Sequence, residues 1–237
     1  MLRYAAIGFA LLALNGGLEA QNNHFIDHRG HHELTHWSLD QSISRFFSFI
    51  YLKTDSLLQQ QSIRSDSTTA AINLRFGIAF REAFLHAARA YQQHDSIPKE
   101  WAFYFSDSSR HPFTYWMLGV HAHILGDMPS ILARTLSPQE LLHHRRPFRR
   151  LNRIFDAQAD WAIQQILGQQ QRLYVWHRLS FGMDRILAKH IVHRWRAKAF
   201  RRAIRIHQHR AKFPRWEREF QRTNKQLARI GKRIFRT

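Results

Sequence analysis

Three observations predict an all-α fold. Apolar residues recur at three- and four-residue spacing along most of the chain, the pattern of helices that bury one face. Helix-start signals stand at the head of several of these stretches: Ser38, Pro98 and the Ser137-Pro138-Gln139-Glu140 capping box. No run alternates apolar with polar residues, no Asn-Gly turn joins two such runs, and no internal repeat occurs. The expected architecture is a single-domain multi-helix bundle with a basic C-terminal helical arm. Its divisions are a signal peptide over 1–20, an irregular His-rich lead-in over 21–37, a helical domain over 38–211 and a basic amphipathic helix over 212–237.

At the amino terminus, Arg3 precedes an apolar run from Tyr4 to Leu14, and Ala20 offers a cleavage point before Gln21. That is the layout of a secretory signal peptide, and the run falls short of the roughly 20 residues needed to span a bilayer. An uncleaved signal anchor is the alternative. The expected location is therefore periplasmic or extracellular, peripheral to the envelope. His24, His28, His31, His32 and His36 follow in a polar stretch, where histidines bind metals adventitiously more often than specifically.

The helices then come in order. Ile43, Phe46, Phe47, Ile50, Tyr51, Thr54, Leu57 and Leu58 mark the first, and Ile72, Leu74, Phe76, Ile78, Phe80, Phe84, Leu85 and Ala88 a second from about Ser67 to Gln93, with both faces well occupied. Pro98-Lys99-Glu100-Trp101 opens a short helix. The stretch Pro112–Pro129, PFTYWMLGVHAHILGDMP, has almost no polar face, so it is expected to be central and buried, stopping at Gly126 to Pro129. A short piece over Ile131 to Leu136, the capping-box helix, a run from Arg149 to Gly168 and a long helix from about Gln170 toward His209 complete the body. Pro214 sets off the last helix.

Composition excludes some chemistry. Without cysteine the chain has no disulfides, no thiolate nucleophile and no Cys-type zinc site, so stability falls to packing or to a metal. Its formal charge of +19 is uneven: from Arg178 onward there are nineteen Lys and Arg against Asp184, Glu217 and Glu219. Such a terminus points to an anionic partner or a solvated, repelling surface.

The candidate chemistry lies in four pairs at four-residue spacing, which places both members on one helix face: His36 with Asp40, Glu82 with His86, His123 with Asp127, and Asp156 with Asp160. Facing pairs in a bundle supply nitrogen and oxygen ligands to a divalent metal such as zinc, and a bound metal activates water. With seventeen histidines and seventeen acids some pairs arise by chance, and a solvated face or an intrahelical bond is the blander reading for each. His123 and Asp127 stand out because unpaired polar groups on so apolar a helix are costly. The expected metal ligands are His123, Asp127 and His86, with Glu82 or Asp40 as further ligand or general base. His121, two residues from His123, reads as a core histidine.

The segments LDQSISRFFSFIYLKT, INLRFGIAFREAFLHAARAY, GVHAHILGDMP and FRRLNRIF, in this order, resemble the bacterial domain-of-unknown-function family 5995. Gly119, Ala122, His123, Ile124, Asp127 and Pro129 match that family's core, His121 and Met128 depart from it, and Asp40, Tyr51, Thr54 and Asn152 add to the match. The resemblance runs from about Leu39 to Ala203 and implies a helical fold without an activity. A more distant likeness joins His123-Ile124-Leu125-Gly126-Asp127 to the zinc-dependent phospholipase C and P1 nuclease group, secreted helical enzymes with a His-x-x-x-Asp metal pair. The histidine that should follow in that group is missing after Pro129, as is its amino-terminal tryptophan ligand.

In the arm, Trp216, Phe220, Leu227, Ile230 and Ile234 make an apolar stripe among Arg215, Arg218, Arg222, Lys225, Arg229, Lys232, Arg233 and Arg236. A basic amphipathic helix suits an anionic membrane surface; the blander reading is that the stripe packs against the bundle while the arginines solvate its outside, and no nucleic-acid motif accompanies it. Two function classes therefore remain. One is a metal-dependent, phosphoesterase-like hydrolase; the other is a non-catalytic envelope protein that uses the basic arm on an anionic membrane or polyanion.

Overall fold

A computed structural model describes residues 47–48, 51–54, 56–57, 66–106, 112–153, 155–157, 160, 183–210 and 212–234. The signal peptide, the His-rich lead-in, His36 and Asp40 lie outside these residues. The described residues are helical, with no strand among them.

Helix α1 runs Ser67–Gln92 and starts where Asp66 accepts the Thr69 amide at 2.9 Å, filling one of the orphan donors of the first turn. Its buried stripe is Ile72, Phe76, Phe80, Phe84 and Ala88, whereas Leu74 and Ile78, expected to fill a second apolar face, are only half-buried. A turn bonded from Trp101 N–H to the Pro98 carbonyl leads into α2, Ala102–Phe105.

The central stretch corrects one expectation. It does not stop at Gly126 to Pro129: α3 (Pro112–His121) passes into a π-helical turn over Ala122–Asp127 and on into α4 (Met128–Thr135). The Met128 amide reaches the His123 carbonyl, five residues back. This wider turn makes Pro129 tolerable, since a proline ring in a regular helix collides with the preceding turn and lacks the N–H to bond it. Pro129 instead occupies the first turn of α4, where its missing donor is not needed.

Ser137 and Glu140 form the expected capping box at the head of α5, Pro138–Arg150. The helical residues of 152–160, then α6 (Met183–His207) and α7 (Phe213–Ile234), follow. Helix α4 packs on α6 and α1, the π-turn touches both, and α7 lies on α3. Phe84, Leu85, Trp101, Tyr104, Leu118 and Leu132 are buried near the centre of one continuous core.

The C-terminal helix is not a separate arm. Phe220 and Asn224 of α7 are buried against the bundle, with Trp216 and Leu227 half-buried beside them, so most of the apolar stripe is spent on the core. Ile230, assigned to the stripe, is instead 47% exposed.

Candidate functional site

His123 sits on the π-turn facing α1 and the helical segment over 47–57. The rings of Phe80, Tyr51 and Phe47 surround its imidazole at 4.0, 5.1 and 6.2 Å, each edge-on. The Tyr51 hydroxyl lies 2.5 Å from Nδ1 and 3.3 Å from the Phe80 carbonyl. The hydroxyl and Nδ1 share one hydrogen bond, whose direction follows the imidazole tautomer. Burial, reinforced by the charge of Arg196, holds the imidazole pKa well below its usual range, so the ring is neutral.

Asp127 ends the same turn. Trp101 Nε1–H donates to its Oδ2 at 2.8 Å. Burial pushes the carboxyl up to about 8, against the opposing pull of the Trp101 bond and with help from nearby Glu100. At neutral pH the centre thus holds a neutral imidazole and a protonated acid. Two glycines permit the close packing around it: a Cβ on Gly119 falls 2.5 Å from the Phe47 ring, and one on Gly126 falls 2.7 Å from Glu100 Cβ.

His121 is the core histidine expected, and it points to the opposite side. Its Nδ1 bonds Asn224 Oδ1 of α7 at 2.8 Å, its ring stacks on Phe220 at 4.5 Å, and Trp195 meets it edge-on at 4.9 Å. Burial lowers its pKa to about 4.

The remaining sequence candidates among the described residues do not converge on His123. Phe80 and Phe84 occupy the buried stripe of α1, whereas Glu82 and His86 stand two residues off it. Glu82 meets Arg89 of its own helix at 3.7 Å, and His86 is exposed. Asp156 bonds His193 and Asp160 bonds Lys189, both at 2.7 Å, tying the 152–160 segment to α6. Among the described residues no three His, Asp or Glu side chains gather as a metal ligand set. His123 Nε2 and the Asp127 carboxyl have the chemistry of ligands, but a full set needs groups beyond this pair.

Sequence reasoning missed five participants. Tyr51 and Asn152 entered only as points of resemblance, yet Tyr51 orients His123 and Asn152 accepts from Arg196 Nε at 2.7 Å. Arg196 is 1% exposed and sits between the Phe148 and Phe155 rings at 4.3 and 4.0 Å, where burial lowers its pKa to about 9. Trp101 gave no signal beyond its aromatic bulk in a short turn. Asn224 did carry one: it interrupts the apolar face between Phe220 and Leu227, where a polar residue needs a partner.

No curated protein and no solved structure matches the chain, and the likeness to the phospholipase C and P1 nuclease group finds no support from them. A family model does match, over residues 32–237, and its match takes in the basic helix that the motif resemblance left out. The chain belongs to the family of unknown function DUF5995.

Proposed function

We propose that this is an exported, non-catalytic envelope protein that holds an anionic membrane surface by electrostatic contact. One observation carries the reading: exposed Arg and Lys side chains without ion-pair partners among the described residues crowd two helices. Helix α5 and its continuation present Arg145, Arg146, Arg149, Arg150 and Arg153, and α7 presents Arg215, Arg218, Arg222, Lys225 and Arg229. The α5 ridge was not singled out from sequence, where the terminal charge dominated. Because most of the apolar face of α7 is spent on the core, contact is at headgroup level rather than by insertion. Each Lys or Arg held near an anionic leaflet contributes about 1 kcal/mol. In this reading His123 and Asp127 are neutral hydrogen-bonding groups that join helices.

Co-sedimentation with vesicles tests it. The expected result is binding to phosphatidylglycerol-containing vesicles at low salt, lost at high salt and absent with neutral lipid. Binding that ignores lipid charge, or no binding at low salt, overturns the reading.

A second reading, a metal-assisted phosphoesterase, rests on the Tyr51 bond. Metal-ligating histidines commonly donate their other ring N–H to a fixed acceptor, and the Tyr51 oxygen stands where it could accept from His123 Nδ1. Glu82, His86 and Asp40 would have to complete or assist that centre. Elemental analysis of mature protein purified without a His tag decides: near-stoichiometric zinc, manganese or iron lost in both His123→Ala and Asp127→Ala supports it. A metal-free wild type after supplementation removes it.

A further inference from the structure

Helix α6 lies between two seams. On one side His193 bonds Asp156, Lys189 bonds Asp160 and Arg196 bonds Asn152, all at 2.7 Å, which ties α5 and its continuation to it. On the other, Arg202 and Lys198 both pair with Glu219 of α7. His193 and Arg202 are about two and a half turns apart, so they leave α6 on opposite sides. Between the seams runs an outer row, Arg194, Arg201 and Arg205, all exposed and without ion-pair partners among the described residues.

Both neighbours bring positive charge up to that row. Arg149 and Arg153 stand one turn before Asn152 and Asp156, on the side of the α5 segment that meets α6. Arg215 and Arg222 stand one turn to either side of Glu219 on α7. Asp156, Asp160 and Glu219 are spent in the seams, where each bonds a basic group of α6, so they leave the outward arginines without a counter-charge. Like charges one turn apart repel, and a fixed anionic surface relieves that cost.

We propose, on the strength of the membrane reading above, that the outer sides of α5, α6 and α7 form one docking face for the phosphate surface of an anionic leaflet, with α6 at its centre. Neighbouring helix axes lie about 8–10 Å apart, so the three rows spread over about 20 Å. Along α6, Arg194 to Arg205 spans about 16 Å. A leaflet meets all three rows at once, whereas a rod-like polyanion meets such a face along one line. Helix α4 and the π-turn stand between α6 and α1 and pack on both, so docking on α6 turns α1 and the His123 cage away from the lipid.

Site-directed labelling tests this, since a chain without cysteine takes a thiol-reactive fluorophore only where a cysteine is introduced. Ala197 is exposed on the outer side of α6 between Arg194 and Arg201, and Gln92 is exposed in the last turn of α1. On phosphatidylglycerol-containing vesicles at low salt, a label on Ala197→Cys should lose access to acrylamide, a neutral aqueous quencher, while a label on Gln92→Cys keeps it. Arg194→Gln, Arg201→Gln and Arg205→Gln combined, which alter no buried group, should weaken vesicle binding about a hundredfold, from three charges at about 1 kcal/mol each and about 1.4 kcal/mol per tenfold. Vesicle binding that leaves the Ala197 label open to quencher, or that the triple variant retains at wild-type strength, overturns this face while the membrane reading stands. No vesicle binding at low salt overturns both. Shielding of the Ala197 label by a DNA duplex but not by vesicles assigns the face to a rod-like polyanion and likewise overturns the proposal.

Discussion

His121 and His123 stand two residues apart on one helix, and their environments differ as much as two parts of this molecule can. His123 faces the aromatic cage of Phe47, Tyr51 and Phe80, joining the central helix to the first half of the chain. His121 faces α7 and joins the same helix to the last. His121 is buried and His123 half-buried, and both rings are neutral, but Nε2 of His121 is a buried atom without a partner. The contrast teaches that residue type and helix position fix which side a group takes, whereas the segment packed there fixes its use.

The largest expected break falls on the His123 side. Gly119→Ala puts a methyl 2.5 Å from ring carbons of Phe47, which is 2% exposed and has little room to yield. Overpacking of this kind costs about 1–3 kcal/mol, and urea denaturation should place the variant near the upper end. Unchanged stability would mean the Phe47 contact is loose. Tyr51→Phe, which strips His123 Nδ1 of its partner, should cost about 2 kcal/mol in the same assay.

Acidity sharpens the comparison next. The carboxyl of Asp127 has its folded pKa raised to about 8, so the native state holds a proton that the unfolded chain releases near 4. That contribution to stability is complete at low pH and is lost as pH rises toward 8, at about 1 kcal/mol per pH unit. His121, His123 and His144 have lowered folded pKa values, so the unfolded chain binds their protons first and stability falls as pH drops below about 6.5. Opposed slopes predict a stability maximum near pH 6.5. Asp127→Asn, which keeps an acceptor for Trp101 and cannot ionise, should flatten the alkaline limb and steepen the acid limb, because the Asp127 slope opposes that of the histidines between about pH 4 and 6.5. A flat wild-type profile between pH 6.5 and 8 would show that Asp127 is ionised in the folded protein.

The smallest effect belongs to the His121 side. Asn224→Ala should cost about 1 kcal/mol. It should also act locally, raising hydrogen exchange in α7 while the amides of α1 stay protected. Equal loss of protection in both helices would mean that α7 folds as one unit with the cage.

Much of the helical scaffold was legible because it depends on local rules. The extent of α1, the capping box at Ser137 and the start of the last helix after Lys212 all follow from three- and four-residue spacing or from the few residues that satisfy helix ends. The stop at Gly126 to Pro129 was misread because glycine and proline do terminate ordinary helices. A π-turn escapes that rule by bonding five residues back, and its register is secured by packing on α1 and α6. The candidate site was half legible: an apolar helix drew attention to His123 and Asp127, but their partners Tyr51 and Trp101 are 72 and 26 residues away.

By itself, the sequence determined the all-α class, the buried central helix, the absence of thiol chemistry and the strong positive charge, since each depends on composition or on near neighbours. Tertiary structure alone decided that the basic helix lies on the core, that Glu82 and His86 stand off the buried stripe, that Asp156 and Asp160 serve α6, and that Arg202 pairs with Glu219 of α7. The physical reason is the same in each case. Helical periodicity assigns a side chain to a face, but the low dielectric, the hydrogen-bond partner and the space it meets come from segments far off in the chain.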